Sequence, residues 1–259
     1  MKIAIIGSGH IGQTLAKKLK AAGHDVAVSN RRGAASLADF AAETGVRALD
    51  MPQVLQGAEA VILATPINAV EDLRDELSKL PAQTLLICTA NYYPHRDGVV
   101  DEIEAGKTES VWLREQLGRD FVKTWNAIGA RQLAFDGKAA GEAGRMAVAL
   151  AGDNADDLAR AARLVDETGF DAAVTGSLAD SWRLQPGTPV FNLTLDAAQL
   201  RQAFADTAPD DRPLAPQRRD WVLARLAEYV GERASFDQFD ADDAGKIAAL
   251  NQEVFAVIK

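Results

Sequence analysis

Cysteine is almost missing from this chain. Cys88 stands alone among 259 residues, which excludes an intramolecular disulfide. Histidine is scarce as well, at three. None of His10, His24 and His95 has a partner at metal-ligand spacing, so no protein-ligated structural zinc is expected. No apolar run approaches the roughly 20 residues that span a bilayer. The apolar opening at Lys2–Gly7 is too short for a signal peptide and runs into a glycine turn. Positive charge is not in excess either: the net charge of -9 argues against a nucleic-acid binder. These absences lead to the expectation of a cytoplasmic protein that touches neither membrane nor nucleic acid.

What is present is unevenly placed. Residues 1–33 hold Lys2, Lys17, Lys18, Lys20, Arg31 and Arg32 against one acid, Asp25, so the start of an acidic chain is basic. The three lysines at 17, 18 and 20 read as a solvated helix face. Arg31 and Arg32 end a strand and suggest an anion site.

Short β-rich runs alternate with helical stretches. Strands are expected at Lys2–Gly7, Asp25–Asn30, Val46–Leu49, Ala60–Thr65, Thr84–Ala90, Phe121–Asn126, Met146–Gly152 and Asp171–Gly176. Helical patterns fall near Ile11–Ala22, Ala35–Thr44, Met51–Gln56, Ala69–Leu80 and Asp156–Thr168. Such alternation means βαβ units and an α/β, doubly wound, mostly parallel sheet. Residues 1–176 are assigned to it. Residues 177–259 form a smaller C-terminal extension: a Pro/Gly loop at 183–188, a Pro/Asp/Arg-rich linker at 207–218, and amphipathic helices at Trp221–Val230 and Ala244–Ile258. The acidic groups 101–104 and 240–243 read as solvated faces or helix starts.

Gly7-Ser8-Gly9-His10-Ile11-Gly12 is a G-x-G-x-x-G run between a buried strand and an apolar-periodic helix, the context in which the motif binds a dinucleotide in a Rossmann fold. Gly7 permits the turn, Gly9 leaves room for pyrophosphate, and Gly12 lets helix and strand approach. The strand order is then expected to include 3-2-1-4-5-6. The second strand ends Ser29-Asn30-Arg31-Arg32 with no acid. Donors replace the carboxylate that would take a ribose 2′-hydroxyl, which favours NADPH over NADH. Arg31 can also stack on adenine.

Three more segments fall at strand ends, where such sheets bind ligands. Thr65-Pro66 can support the ribose. Asn91-Tyr92-Tyr93 offers polar groups near the nicotinamide, either tyrosine serving as a proton donor or as a packing ring. The backbone of Ala127-Ile128, after Asn126, can bind the carboxamide.

GSGHIG (7–12), SNRR (29–32), ATP (64–66), ANYYPHRDG (90–98), FVKTWNAIG (121–129) and the segment 169–191 around Trp182 together give a resemblance. The sequence resembles the F420-dependent NADP oxidoreductases and their bacterial relatives. The resemblance implies direct hydride exchange between NADP(H) and a deazaflavin (F420) or flavin as the small-molecule partner. No protein group need act as a catalyst; the chain aligns two rings and excludes water. Tyr92, Leu178 and Trp182 would then line the second-ring pocket. The tail from about Thr207 covers that pocket or builds a homodimer contact. Two alternatives stay open: a hydroxyacid or imine reductase, for which Lys246 and Asn251 are the hint, and a non-catalytic NADPH-binding redox sensor.

Overall fold

The computed structural model describes residues 1–230 and 241–259. Its strands are Lys2–Ile6 (β1), Asp25–Ser29 (β2), Arg47–Ala48 (β3), Ala60–Leu63 (β4), Leu85–Cys88 (β5), Val122–Thr124 (β6), Ala147–Ala151 (β7) and Asp171–Gly176 (β8). They form one sheet in the order β3-β2-β1-β4-β5-β6-β7-β8, which contains the expected core order. Every pairing is parallel except β6 with β7.

The helices are His10–Ala21 (α1), Ala38–Thr44 (α2), Val70–Ser78 (α3), Pro94–Asp97 (α4), Asp101–Glu104 (α5), Glu109–Leu117 (α6), Ala130–Phe135 (α7), Ala155–Glu167 (α8), Ala197–Asp206 (α9), Ala215–Val230 (α10) and Ala241–Val257 (α11). None of the described helices is long and apolar enough to cross a membrane.

Strands β4 and β5, and β1 from Ile3 onward, are unbroken apolar runs because both faces of the sheet are covered. Ile3 and Ile5 pack with Leu15 and Leu19 of α1, while Ala4 and Ile6 pack on the opposite face with Val54 and Val61. A third cluster sets Leu200 and Phe204 of α9 against Ala147 and Ala149 of β7.

Several expectations shift. The stretch 51–56 is a single 3-10 turn, Gln53–Leu55, after a cis Met51–Pro52 bond. The linker at 207–218 already contains the start of α10 at Ala215. Helices α6 and α9 were not expected. Lys18 is half-buried, its ammonium donating to the Thr168 carbonyl at 3.1 Å, so it ties α1 to the end of α8. Of the acidic cluster at 240–243, Asp240 lies outside the described residues.

Two consequences matter for the site. Loops at the carboxyl ends of β1, β4, β5 and β6 converge on one edge of the sheet. Helices α10 and α11 lie over that edge, and the charged side chains of α10 help to fix them there. Arg212, just before α10, donates to the Gly106 carbonyl at 2.7 Å, and Arg219 reaches Glu104 at 3.5 Å. Gly187 sits so close beneath α10 that a Cβ there would stand 2.1 Å from the Ala215 carbonyl oxygen.

Candidate active site

The glycine turn has the form its spacing requires. Gly7 takes φ of 112°, a conformation other residues rarely adopt. A Cβ on Gly7 would stand 2.2 Å from the Ala64 carbonyl oxygen, and one on Gly12 would stand 2.1 Å from the Gly7 carbonyl oxygen. Both glycines are therefore demanded by packing. Gly9 differs: its φ is -74°, and nothing lies within 4 Å of a Cβ built there. Its lack of a side chain serves open space in front of the helix. Helix α1 begins at that point with no side-chain cap and no acid in its first turn. Free N–H groups and the positive end of the helix dipole thus face the space beside Gly9. That cradle fits a pyrophosphate.

Different outcomes follow for two alanine substitutions. Gly12→Ala should cost about 1–3 kcal/mol of stability through overpacking, read as a shift in the denaturant midpoint. Gly9→Ala should keep wild-type stability but weaken NADPH binding roughly tenfold or more, because its Cβ enters the space next to the helix N-terminus. Equal stability loss in the two variants would contradict this division.

The turn after β2 is braced from the glycine loop. Asn30 Nδ2 donates to Ser8 Oγ at 2.8 Å and to Ser36 Oγ at 3.1 Å, and Asn30 Oδ1 accepts from the Arg32 backbone N–H at 2.8 Å. Arg31 and Arg32 project into solvent beyond this brace. The Arg31 side chain is 88% exposed, with Asp72 at 4.0 Å. Ser29 is placed otherwise than expected. It is fully buried, and its hydroxyl, without a hydrogen-bond partner among the described residues, cannot reach a phosphate. Its carbonyl instead accepts from Gly7 N–H at 2.8 Å. A carboxylate also reaches this turn from β3: Asp50 Oδ1 accepts from Ala34 N–H at 2.6 Å. That acid was missed because it lies sixteen residues further along the chain.

From Ile11, on the first turn of α1, a cleft of about 390 Å³ runs over the ends of β5 and β6. Asn91, Tyr93, His95, Trp125, Asn126, Ile128, Gly187, Phe191 and Asn192 line one part. Arg219, Val222, Leu223 and Leu226 of α10, with Ile247 and Asn251 of α11, line the rest. The lining is mostly apolar. Its floor is held by paired amides: Asn91 Nδ2 donates to the Asn126 carbonyl at 2.7 Å, and Asn126 Nδ2 donates to Asn91 Oδ1 at 3.0 Å. Trp125 and Asn192 have φ of 55° and 60°, an uncommon conformation for a bulky residue. Among the described residues, Trp125 Nε1, Asn126 Oδ1 and Asn192 Oδ1 are buried without hydrogen-bond partners.

Residues 91–97 are locked in turn. Asp97 accepts from Tyr93 N–H at 2.9 Å and pairs with Arg96, which donates to the Asn91 carbonyl at 2.7 Å. Beneath them is a buried ion pair the sequence reading did not identify. Lys123 Nζ donates to the Ala90 carbonyl at 2.6 Å and lies 3.4 Å from Glu109 Oε2. Burial pushes the Glu109 carboxyl above its usual range, and the Lys123 ammonium works against that rise. Burial also raises the Cys88 thiol, so this cysteine is an inert core residue.

Other expected residues take varied positions. Thr65 is half-buried beside Gly7, its Cγ2 within 3.2 Å of a Cβ built on that glycine, and Pro66 is exposed after it. His10 is exposed on the first turn of α1. The Ala127 carbonyl accepts from Asn192 N–H at 3.0 Å, so it is already engaged within the protein. Three expected substrate residues do not line the cleft. Tyr92 is fully buried in the core, its hydroxyl accepting from Val100 N–H at 3.0 Å. Leu178 is fully buried in the same cluster. Trp182 is buried beneath Arg183, whose guanidinium stands 4.6 Å from its ring centre. Neighbours of these residues, Tyr93 and the loop 186–192, line the cleft instead.

A doubly wound sheet, a phosphate cradle at the first βα turn and a cleft at the carboxyl ends define the class: Rossmann-type NAD(P)-dependent oxidoreductases. Residues 2–92 match the model of the family described as NADP oxidoreductase, coenzyme F420-dependent, so the resemblance read from the sequence holds over the nucleotide-binding part. The Escherichia coli (strain K12) protein YjhV is 45% identical over 64 residues, which are 25% of this chain and 47% of that protein. The match thus spans about half the length of that curated relative. The crystal structure of hypothetical protein SMa0349 from Sinorhizobium meliloti is similar with a TM-score of 0.64 and 28% identity, over 74% of this chain and 94% of that one. A candidate F420-dependent NADP reductase from Arthrobacter sp. FB24 is similar in fold, with a TM-score of 0.57 and 24% identity over 89% of this chain and 95% of that one.

Proposed function

We propose that the chain is an NADPH-dependent oxidoreductase whose cleft brings the nicotinamide against a planar, conjugated hydride acceptor of the deazaflavin or flavin type. The observation that carries this reading is the cleft itself. It starts where the phosphate cradle ends, at Ile11, and is apolar on most of its wall. Its floor also carries the paired amides of Asn91 and Asn126 as fixed polar groups beneath that apolar wall. NADPH supplies the hydride. The chain's part is to hold the phosphates at α1 and the turn after β2, to set the ring on the Asn91–Asn126 floor, and to exclude water with α10 and α11.

A catalytic lysine on the tail is less well supported. Lys246 is half-exposed, donates to the Tyr229 hydroxyl at 2.9 Å and lies in the groove between α10 and α11, outside the cleft lining. The test is NADPH oxidation, followed by absorbance, with F420, FMN, FAD, ketoacids and imines. Turnover with F420 or a flavin supports the proposal. Turnover only with an acid or imine, abolished by Lys246→Ala, would favour the alternative reductase. Tight NADPH binding without oxidation would favour the sensor.

A further inference from the structure

Of the two adjacent tyrosines after β5, Tyr92 is consumed by the core, and Tyr93 alone of the pair lines the cleft. The Tyr93 backbone is pinned by Asp97, and the Arg96 guanidinium lies 5.1 Å from its ring centre. Its ring is thereby held while its hydroxyl, among the described residues, has no hydrogen-bond partner. The other charged groups around that hydroxyl are Glu109 of α6, Arg219 of α10 and Asp97 of α4; the exposed His95 ring lies 5.9 Å away, centre to centre. Here two cations and two carboxylates balance, so the surroundings do not select a charged group. A neutral hydrogen-bond acceptor is what a held phenol in such a cleft can recognise.

We propose that the Tyr93 hydroxyl is the hydrogen-bond and proton donor to the substrate that accepts the hydride. The part of that substrate which meets Tyr93 is an uncharged conjugated ring or carbonyl group whose reduction places an electron pair on an oxygen or nitrogen. The inference rests on the hydride-transfer reading of the same cleft. As the acceptor carbon gains the hydride, its π bond opens and the electron pair moves to the conjugated heteroatom. The Tyr93 O–H bond then breaks and the proton passes to that heteroatom. Bulk water returns a proton to the phenolate, so each turnover consumes one NADPH and one solvent proton. Burial, and secondarily the Glu109 carboxylate, hold the phenol above its ordinary value, while Arg96 and Arg219 oppose the rise. The hydroxyl consequently stays protonated at neutral pH and is a hydrogen-bond donor in the resting cleft.

The test is Tyr93→Phe, which removes one oxygen that has no hydrogen-bond partner among the described residues and should leave the thermal midpoint unchanged. With the acceptor that the wild-type enzyme reduces best, single-turnover hydride transfer should slow about a hundredfold. The solvent deuterium isotope effect of the wild type should disappear. NADP+ affinity should stay as it was, while the oxidised acceptor should bind the enzyme–NADP+ complex about fivefold more weakly. Unchanged transfer rate, isotope effect and acceptor affinity in Tyr93→Phe, with an active wild type, would overturn the role of Tyr93 alone. A wild type that neither binds nor reduces any acceptor would overturn the hydride-transfer reading and this inference with it.

Discussion

With Arg31 and Arg32 both changed to alanine, NADPH should bind about tenfold or more weakly while NADH binds nearly as before. The reason lies in the geometry of the turn after β2. Asn30 spends its amide on Ser8, Ser36 and the Arg32 backbone, and Ser29 is buried. The two guanidiniums are thus the groups of this turn left to meet a 2′-phosphate. They are also inexpensive to redeploy, since an exposed pair such as Arg31 with Asp72 at 4.0 Å contributes little that binding would have to replace. Asp50 lies against the same turn, where one of its carboxylate oxygens, Oδ1, accepts from Ala34 N–H. Titration of wild type and double variant with both dinucleotides, at one fixed salt concentration, checks the expectation. An equal loss for NADPH and NADH would show that the arginines support the turn rather than the phosphate.

Glu109→Ala should destabilise the protein by about 3–5 kcal/mol, because it strands the Lys123 ammonium in the interior. Both side chains are almost wholly buried, and among the described residues Lys123 keeps only the Ala90 carbonyl when its partner is gone. Since Ala90 precedes the Asn91–Asp97 loop, the damage should reach the cleft floor as well. A double variant, Glu109→Leu with Lys123→Met, removes both charges and should recover most of the loss. Denaturant unfolding of the three proteins measures this. A single variant within about 1 kcal/mol of wild type would mean that the pair contributes far less than its burial implies.

The sheet was largely readable because consecutive apolar runs such as Ala60–Leu63 and Leu85–Cys88 announce strands covered on both faces. Direction was not readable. β7 has the same composition whether it runs with or against β6, and only the structure shows the reversal. Helix α9 did leave a local sign: Asp196 and Gln199 form a capping box, ahead of Leu200 and Phe204 on the buried side. Helix α6 left less, since its first turn buries Glu109 and Ser110 where an amphipathic pattern calls for solvent.

In the site, the glycine positions were legible because the G-x-G-x-x-G spacing between strand and helix is a local signal, even though the atom that forbids a Cβ on Gly7 belongs to distant Ala64. The tyrosines were not. Neighbouring residues in extended backbone point to opposite sides, and which of Tyr92 and Tyr93 faces the core depends on packing with Ile103 and Trp112 from later in the chain. The role of the tail was equally hidden, because its docking runs through distant pairs such as Arg219 with Glu104 and Gly187 with Ala215.

The most direct measurement is a crystal structure of the wild-type protein with NADP+. The account predicts the pyrophosphate at the N-terminus of α1 beside Gly9, the 2′-phosphate between Arg31 and Arg32, and the nicotinamide inside the cleft with Tyr93 on its wall. A dinucleotide bound with its nicotinamide outside the space beneath α10 and α11, or with the arginines turned away from the adenosine, would contradict it.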